Sequence, residues 1–147
     1  MQWSDKKGYV DLLIEGCNKD IYTVLEFKVA QIDCLELTGK SADERAERLK
    51  GMPLEEILRL RFNESDKFRP GKTIHDLVDG KADENGKGKE SQVVREQLQS
   101  YIKGCTVQKE IAGKNFRAFA VVIIGSRQIL MREMDRNGEW VGEYELA

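Results

Sequence analysis

The chain predicts an α/β fold, a central mixed β-sheet flanked by helices, with a helical and loop insert. Three observations predict it. Two stretches rich in Val, Ile, Leu, Tyr and Phe, residues 9–14 and 21–29, flank a turn-forming segment. A periodic apolar stripe marks a helix over about 91–103, and Ala118 to Ile124 form an unbroken apolar run closed by Gly125. At 147 residues this is one domain, 1–147, with residues 31–90 as an insert.

The first two stretches form a hairpin. With Cys17 to Asp20 as its loop, Gly16 opposes Ile21, and in that register Asp11 opposes Glu26. Directly opposed residues share a face. Side chains alternate along a strand, so Lys28, Tyr22 and Val24 join Glu26, while Leu25, Phe27 and Val29 point the other way. Opposed carboxylates have Cβ atoms only ~5 Å apart and repel. A hard divalent cation offsets that repulsion, and Mg²⁺ is held by one or two carboxylates and several waters. Asp11 and Glu26 are therefore candidate metal ligands, with Mn²⁺ as a substitute ion. The alternative is that Lys28 neutralises Glu26 and Asp11 is solvated at a strand end. Both strands are apolar enough to be buried, and a buried carboxylate is costly unless paired or metal-bound.

The insert follows. Ser41 with Glu44 three residues on is a capping box, which predicts a helix from Ala42 to Lys50, ended by Gly51 and Pro53. Leu54, Ile57 and Leu58 at i, i+3 and i+4 predict a second short helix. Residues 63–90 are polar and glycine-rich, and read as a long mobile loop whose Phe68, Ile74, Leu77 and Val78 are too few to bury it. Lys67, Arg69 and Lys72 would offer basic substrate contacts from it. Pro70-Gly71-Lys72-Thr73 is not a phosphate loop, because Asp66 stands where that motif needs its first glycine.

Ser91 caps the clearest helix, and Gly104 closes it. Val94, Leu98, Tyr101, Ile102 and Cys105 form its buried stripe. Gln97 flanks that stripe one turn before Tyr101, so its amide is either satisfied by backbone or turned to a functional cleft. The 118–124 run marks a central strand covered on both faces. A strand over Gln128 to Met134 follows the turn at Gly125-Ser126, and Asn137-Gly138 sets up a hairpin to Trp140–Leu146.

Composition excludes several classes. No apolar run is long enough to span a bilayer, and the N-terminus MQWSDKKG has no apolar signal core, so no membrane partner is expected. Cys17, Cys34 and Cys105 show no C-x-x-C spacing and His75 is the only histidine, which argues against zinc and disulfides and for a reducing, intracellular compartment, cytoplasmic or nuclear. A net charge of −2 leaves phosphate binding to a local basic surface.

A strand carrying Asp11, a strand carrying Glu26-Phe27-Lys28, a helix with Gln97 and Tyr101 and then an apolar strand resemble the PD-(D/E)XK nuclease superfamily, in the branch found C-terminal to ATPase-like modules. The likeness covers residues 8–30 and 91–135, with Val10 where the motif's proline would stand. It implies a restriction-endonuclease-like core and a Mg²⁺-dependent nuclease, a hydrolase of phosphodiester bonds acting on nucleic acid, DNA ahead of RNA. Asp11, Glu26 and the Phe27 carbonyl would bind the metal. Lys28 would position or deprotonate the attacking water and stabilise the anionic transition state. Gln97 and Tyr101 would line the cleft. The alternative is a nuclease-like module that binds nucleic acid or a partner protein without cutting. Family members place a helix and a strand before the Asp-bearing strand, and seven residues precede Gly8 here. The chain is therefore expected to pair with a second copy or to continue an upstream domain of a longer protein.

Overall fold

The computed structural model describes residues 12–15, 21–67, 69–80 and 93–147. Five strands form one sheet in the order β1-β2-β3-β4-β5: Leu12–Glu15, Ile21–Ala30, Asn115–Ile124, Gln128–Met134 and Trp140–Leu146. β2 and β3 are parallel and the other neighbours antiparallel, so the sheet is mixed. The fold class is as the sequence predicts.

The β1–β2 pairing is Leu12 with Leu25 through Glu15 with Tyr22, the register the hairpin spacing predicts. Along β2 the even residues Tyr22, Val24, Glu26 and Ala30 are buried, and Lys28 is half-buried. Period-2 alternation thus puts Glu26 and Lys28 on the helix-covered face. The β3 register sets Glu26 beside Ala120, and the β4 register sets Ala120 beside Arg132.

The expected two-sided cover of β3 is corrected. Its even residues from Ala118 to Ile124 are buried, but Phe119 and Ile123 are half-buried, and Ile21, Val29, Ile129 and Val141 on that second face are exposed. The unbroken apolar run arises because β3 is the central strand, with only Val121 of its second face buried.

Two turns hold the β3–β4–β5 meander. Gly125 and Ser126 both have positive φ, 55° and 57°, the type I′ geometry that matches strand twist. A Cβ at Gly125 would stand 2.6 Å from Leu49, so glycine is also needed for the turn to pack against the insert. At the second turn the Asp135 carboxylate accepts hydrogen bonds from the Asn137 and Glu139 amides.

Within the insert, α1 (Ala42–Lys50) and α2 (Leu54–Arg59) stand where predicted. Ser41 Oγ accepts the Glu44 amide, but the Glu44 carboxylate caps the Lys40 amide rather than that of Ser41. The loop expected over 63–90 is corrected for its described part. Thr73 and Asp76 form a full capping box that starts α3 (Ile74–Asp79), whose Ile74, Leu77 and Val78 are core residues. Three apolar side chains suffice because they join a core built by the rest of the chain, a long-range contribution that composition does not show. Phe68 and residues 81–90 lie outside the described residues.

α4 (Val94–Ile102) buries Val94, Leu98, Tyr101 and Ile102 against β2 and β3. Ser91, its expected cap, lies outside the described residues. α4 ends at Ile102 with Lys103 as its C-cap, just ahead of Gly104 as the sequence predicts, and Gly104 in turn is the N-cap of α5 (Cys105–Ile111), so Cys105 belongs to a second helix and not to the α4 stripe.

Candidate functional site

Glu26 is the feature on which the site turns. It is 2% exposed, and with Asp66 it is one of two buried charged residues among those described. Lys28, two residues along the same face, brings Nζ to 3.6 Å from Glu26 Oε1. That is an ion pair beyond hydrogen-bond length. A fully buried carboxylate is costly unless its charge is compensated, and the Lys28 ammonium at that distance supplies compensation.

The donor chemistry suits a hard cation. Glu26 offers carboxylate oxygen, and Mg²⁺ needs only one or two carboxylates with waters. Among the described residues no three of His, Cys, Asp and Glu gather into a metal-holding group. Asp11 lies outside the described residues, and the Glu26-Phe27-Lys28 half of the set is the part the structure shows.

α4 crosses this face in a definable direction. Its first turn carries Arg95, bound to Asp79 at 2.8 Å, and Asp79 also pairs with Arg132 at 3.5 Å in the Glu26 cross-strand row. Its last turn carries Tyr101, whose hydroxyl lies 3.1 Å from that of Tyr22. Gln97 stands on the helix between those two attachments, with a buried Oε1 that has no hydrogen-bond partner among the described residues. α4 packs on β2 and β3, the strands that carry Glu26 and its neighbour Ala120.

Tyr101 is buried, as its place in the apolar stripe predicts, and its hydroxyl meets the sheet at Tyr22. Tyr22 is four residues from Glu26, about 13 Å along the strand. Tyr22 also donates to Glu110 at 2.9 Å, and Lys114 lies over its ring. Burial, followed by the hydrogen bonds to Tyr101 and Glu110, pushes the Tyr22 phenol far above its ordinary range. Burial likewise raises Tyr101. Both hydroxyls stay protonated and serve the packing of α4 on β2.

Of the basic residues, Arg69 is committed elsewhere. Its Nη2 lies 2.9 Å from Asp66 Oδ2 and its Nε within 3.4 Å of both carboxylate oxygens, its guanidinium stacks on Phe62 and it reaches the Val29 carbonyl. Arg69 therefore clamps the insert to the end of β2. Lys67 and Lys72 are exposed.

Sequence reasoning missed Arg132. Its guanidinium is sandwiched between Trp140 and Tyr144, 4.8 and 4.6 Å from the ring centroids, and pairs with Asp79, which also accepts from Trp140 Nε1. The signal was present in Leu130-x-Arg132-x-Met134, where period 2 turns a charge inward between two core residues. Arg132 stands two strands from Glu26, about 10 Å across the sheet, with only the small Ala120 between.

Compared with protein-family models, curated proteins and solved structures, the chain matches none. Among the described residues no helix is long and apolar enough to cross a membrane. Cys34 is half-buried and free.

Proposed function

We propose that the chain is a metal-dependent nuclease domain that hydrolyses phosphodiester bonds of nucleic acid, DNA ahead of RNA. One observation carries the reading: a carboxylate buried to 2% on an inner strand of a mixed sheet, with an ammonium two residues on and on the same face. Structural economy would put an apolar residue there, because desolvating a carboxylate costs several kcal/mol (on the order of 3–5 when its pairing is broken). A carboxylate that expensive, buried beside an ammonium on one face of a strand, is what metal-assisted phosphoryl chemistry uses.

Glu26, Asp11 and the Phe27 carbonyl would hold the divalent cation, Mg²⁺ or Mn²⁺, which when bound supplies Lewis-acid polarisation of a phosphoryl oxygen. The chain's own groups then have separable tasks. Lys28 holds its ammonium beside Glu26, where it can orient the attacking water and offset the charge that grows on the phosphoryl oxygens in the transition state. Gln97, with its buried acceptor, can fix the orientation of Lys28 or of that water. A Tyr101 phenol held by burial on Tyr22 supports the helix that carries Gln97.

The test is one incubation of the chain with labelled single- and double-stranded DNA and RNA, with Mg²⁺, with Mn²⁺ and with chelator. Cleavage that needs the cation supports hydrolysis. Chelator-insensitive binding with no cleavage under any cation would replace it with a nuclease-like binding module.

A further inference from the structure

All ten arginines lie among the described residues, and seven of them are committed. Arg45, Arg69, Arg95, Arg117 and Arg132 form ion pairs, and Arg127 and Arg136 donate to backbone carbonyls. Arg48, Arg59 and Arg61 have no ion pair or side-chain hydrogen bond among the described residues. These three line the same hollow, an open cavity of about 360 Å³ in the insert. They come from three different elements: the last turn of α1, the last residue of α2 and the bridge that joins Arg61 to Thr73. Glu36 and Glu56 share the rim without pairing to them. The floor is apolar, with Leu37, Met52 and Leu60.

From this we infer that the hollow is a docking site for the phosphodiester backbone of a nucleic-acid strand, gripped by Arg48, Arg59 and Arg61; the choice of nucleic acid as occupant rests on the hydrolytic reading above. A guanidinium presents a planar fork of donors that matches a phosphate's oxygens in pairs, and these three forks form no ion pair or side-chain hydrogen bond with any described residue. Three cations against the two carboxylates leave the hollow net positive, which suits a polyanion. Placement agrees. The hollow is built on the segment that leaves β2 directly after Lys28, and Leu35, bridged to Phe62 next to Arg61, stands seven residues on, which bounds its distance from Lys28 at about 25 Å. A strand seated at Glu26 and Lys28 thus has a second anchor within a few nucleotides.

The experiment is fluorescence anisotropy in EDTA, where nothing is cut, with fluorescein-labelled single-stranded and duplex DNA across a range of salt. The parent should bind. The triple variant Arg48→Gln/Arg59→Gln/Arg61→Gln should bind at least about tenfold more weakly at low salt, with the slope of log affinity against log salt reduced by roughly 2 to 3. Arg117→Gln, whose guanidinium is exposed and paired with Glu133 on β3 and β4, should keep the parent's affinity and slope. Each single variant, melted thermally to check its fold, should lower the slope by about 1, so misfolding of the triple variant does not shelter the inference. A parent that binds no oligonucleotide, a triple variant with unchanged slope, or a parent that binds inorganic phosphate but no oligonucleotide overturns it. Salt-dependent binding through these arginines without cleavage in Mg²⁺ sustains it while removing the hydrolytic reading.

Discussion

Two buried carboxylates face two cations in this molecule, and they are held in opposite ways. Asp66 takes the Arg69 guanidinium on both oxygens and also the Arg69 amide at 2.7 Å, with Phe62 closing over the cation. Glu26 meets Lys28 at one contact of 3.6 Å. The first arrangement uses up donors and acceptors within the protein and is what a structural clamp needs. The second pairs the two charges at a distance beyond a hydrogen bond, with the ammonium partly open to water. Burial alone therefore does not identify a site; the geometry by which a buried charge meets its counter-ion separates a clamp from a candidate.

The contrast is sharpest in cleavage. Lys28→Met should slow hydrolysis ~100-fold or more while leaving nucleic-acid binding intact, as loss of a contact made only in the transition state does. Single-turnover rates on pure protein measure it, and cleavage at the parent rate would make Lys28 a counter-ion like Arg69.

Stability should move the other way. Asp66→Ala leaves a mostly buried guanidinium with no carboxylate and should cost roughly 3 kcal/mol, a fall in melting temperature of about 10 °C for a domain this size. Glu26→Gln, which leaves Lys28 21% exposed and able to regain water, should cost less than about 1 kcal/mol. Equal losses in thermal melts would erase the distinction between the two pairs.

Cation binding is the next test. Titration calorimetry with Mn²⁺ should show weakened binding, by about tenfold or more, in Asp11→Asn and in Glu26→Gln, because each removes one of few oxygen ligands. Isotherms identical to the parent's in both variants would remove the metal assignment.

The smallest effect concerns α3. The Thr73 amide, first among the causes, holds the Asp76 carboxyl below its ordinary value. A depressed folded-state pKa means the unfolded chain binds the proton more readily, so this stability is complete above pH ~4 and drains as pH falls below it. Asp76→Asn should cost about 1 kcal/mol at pH 7 and flatten that acid-side slope, read by denaturant midpoints at several pH values.

Much of this frame was legible in the residues. The hairpin register follows from a side-chain period of 2 and a counted loop, and it is observed from Leu12 to Glu15. α1, β4 and both later turns follow from capping and turn chemistry that act within four or five residues. The joint placement of Glu26 and Lys28 on the covered face needed nothing else. What sequence alone could not settle depends on partners distant along the chain. Three apolar residues of α3 are core because other elements meet them there. Tyr101 serves Tyr22 rather than Glu26, Arg69 is consumed by Asp66, and Arg132 is drawn inward by Trp140, Tyr144 and Asp79. Local periodicity sets which face a side chain takes, because backbone geometry repeats over a few residues. Which side chains are satisfied, and which three arginines form no ion pair with any described residue, is decided only when segments far apart in the chain are packed together, since pairing depends on distance in space and not on spacing in sequence.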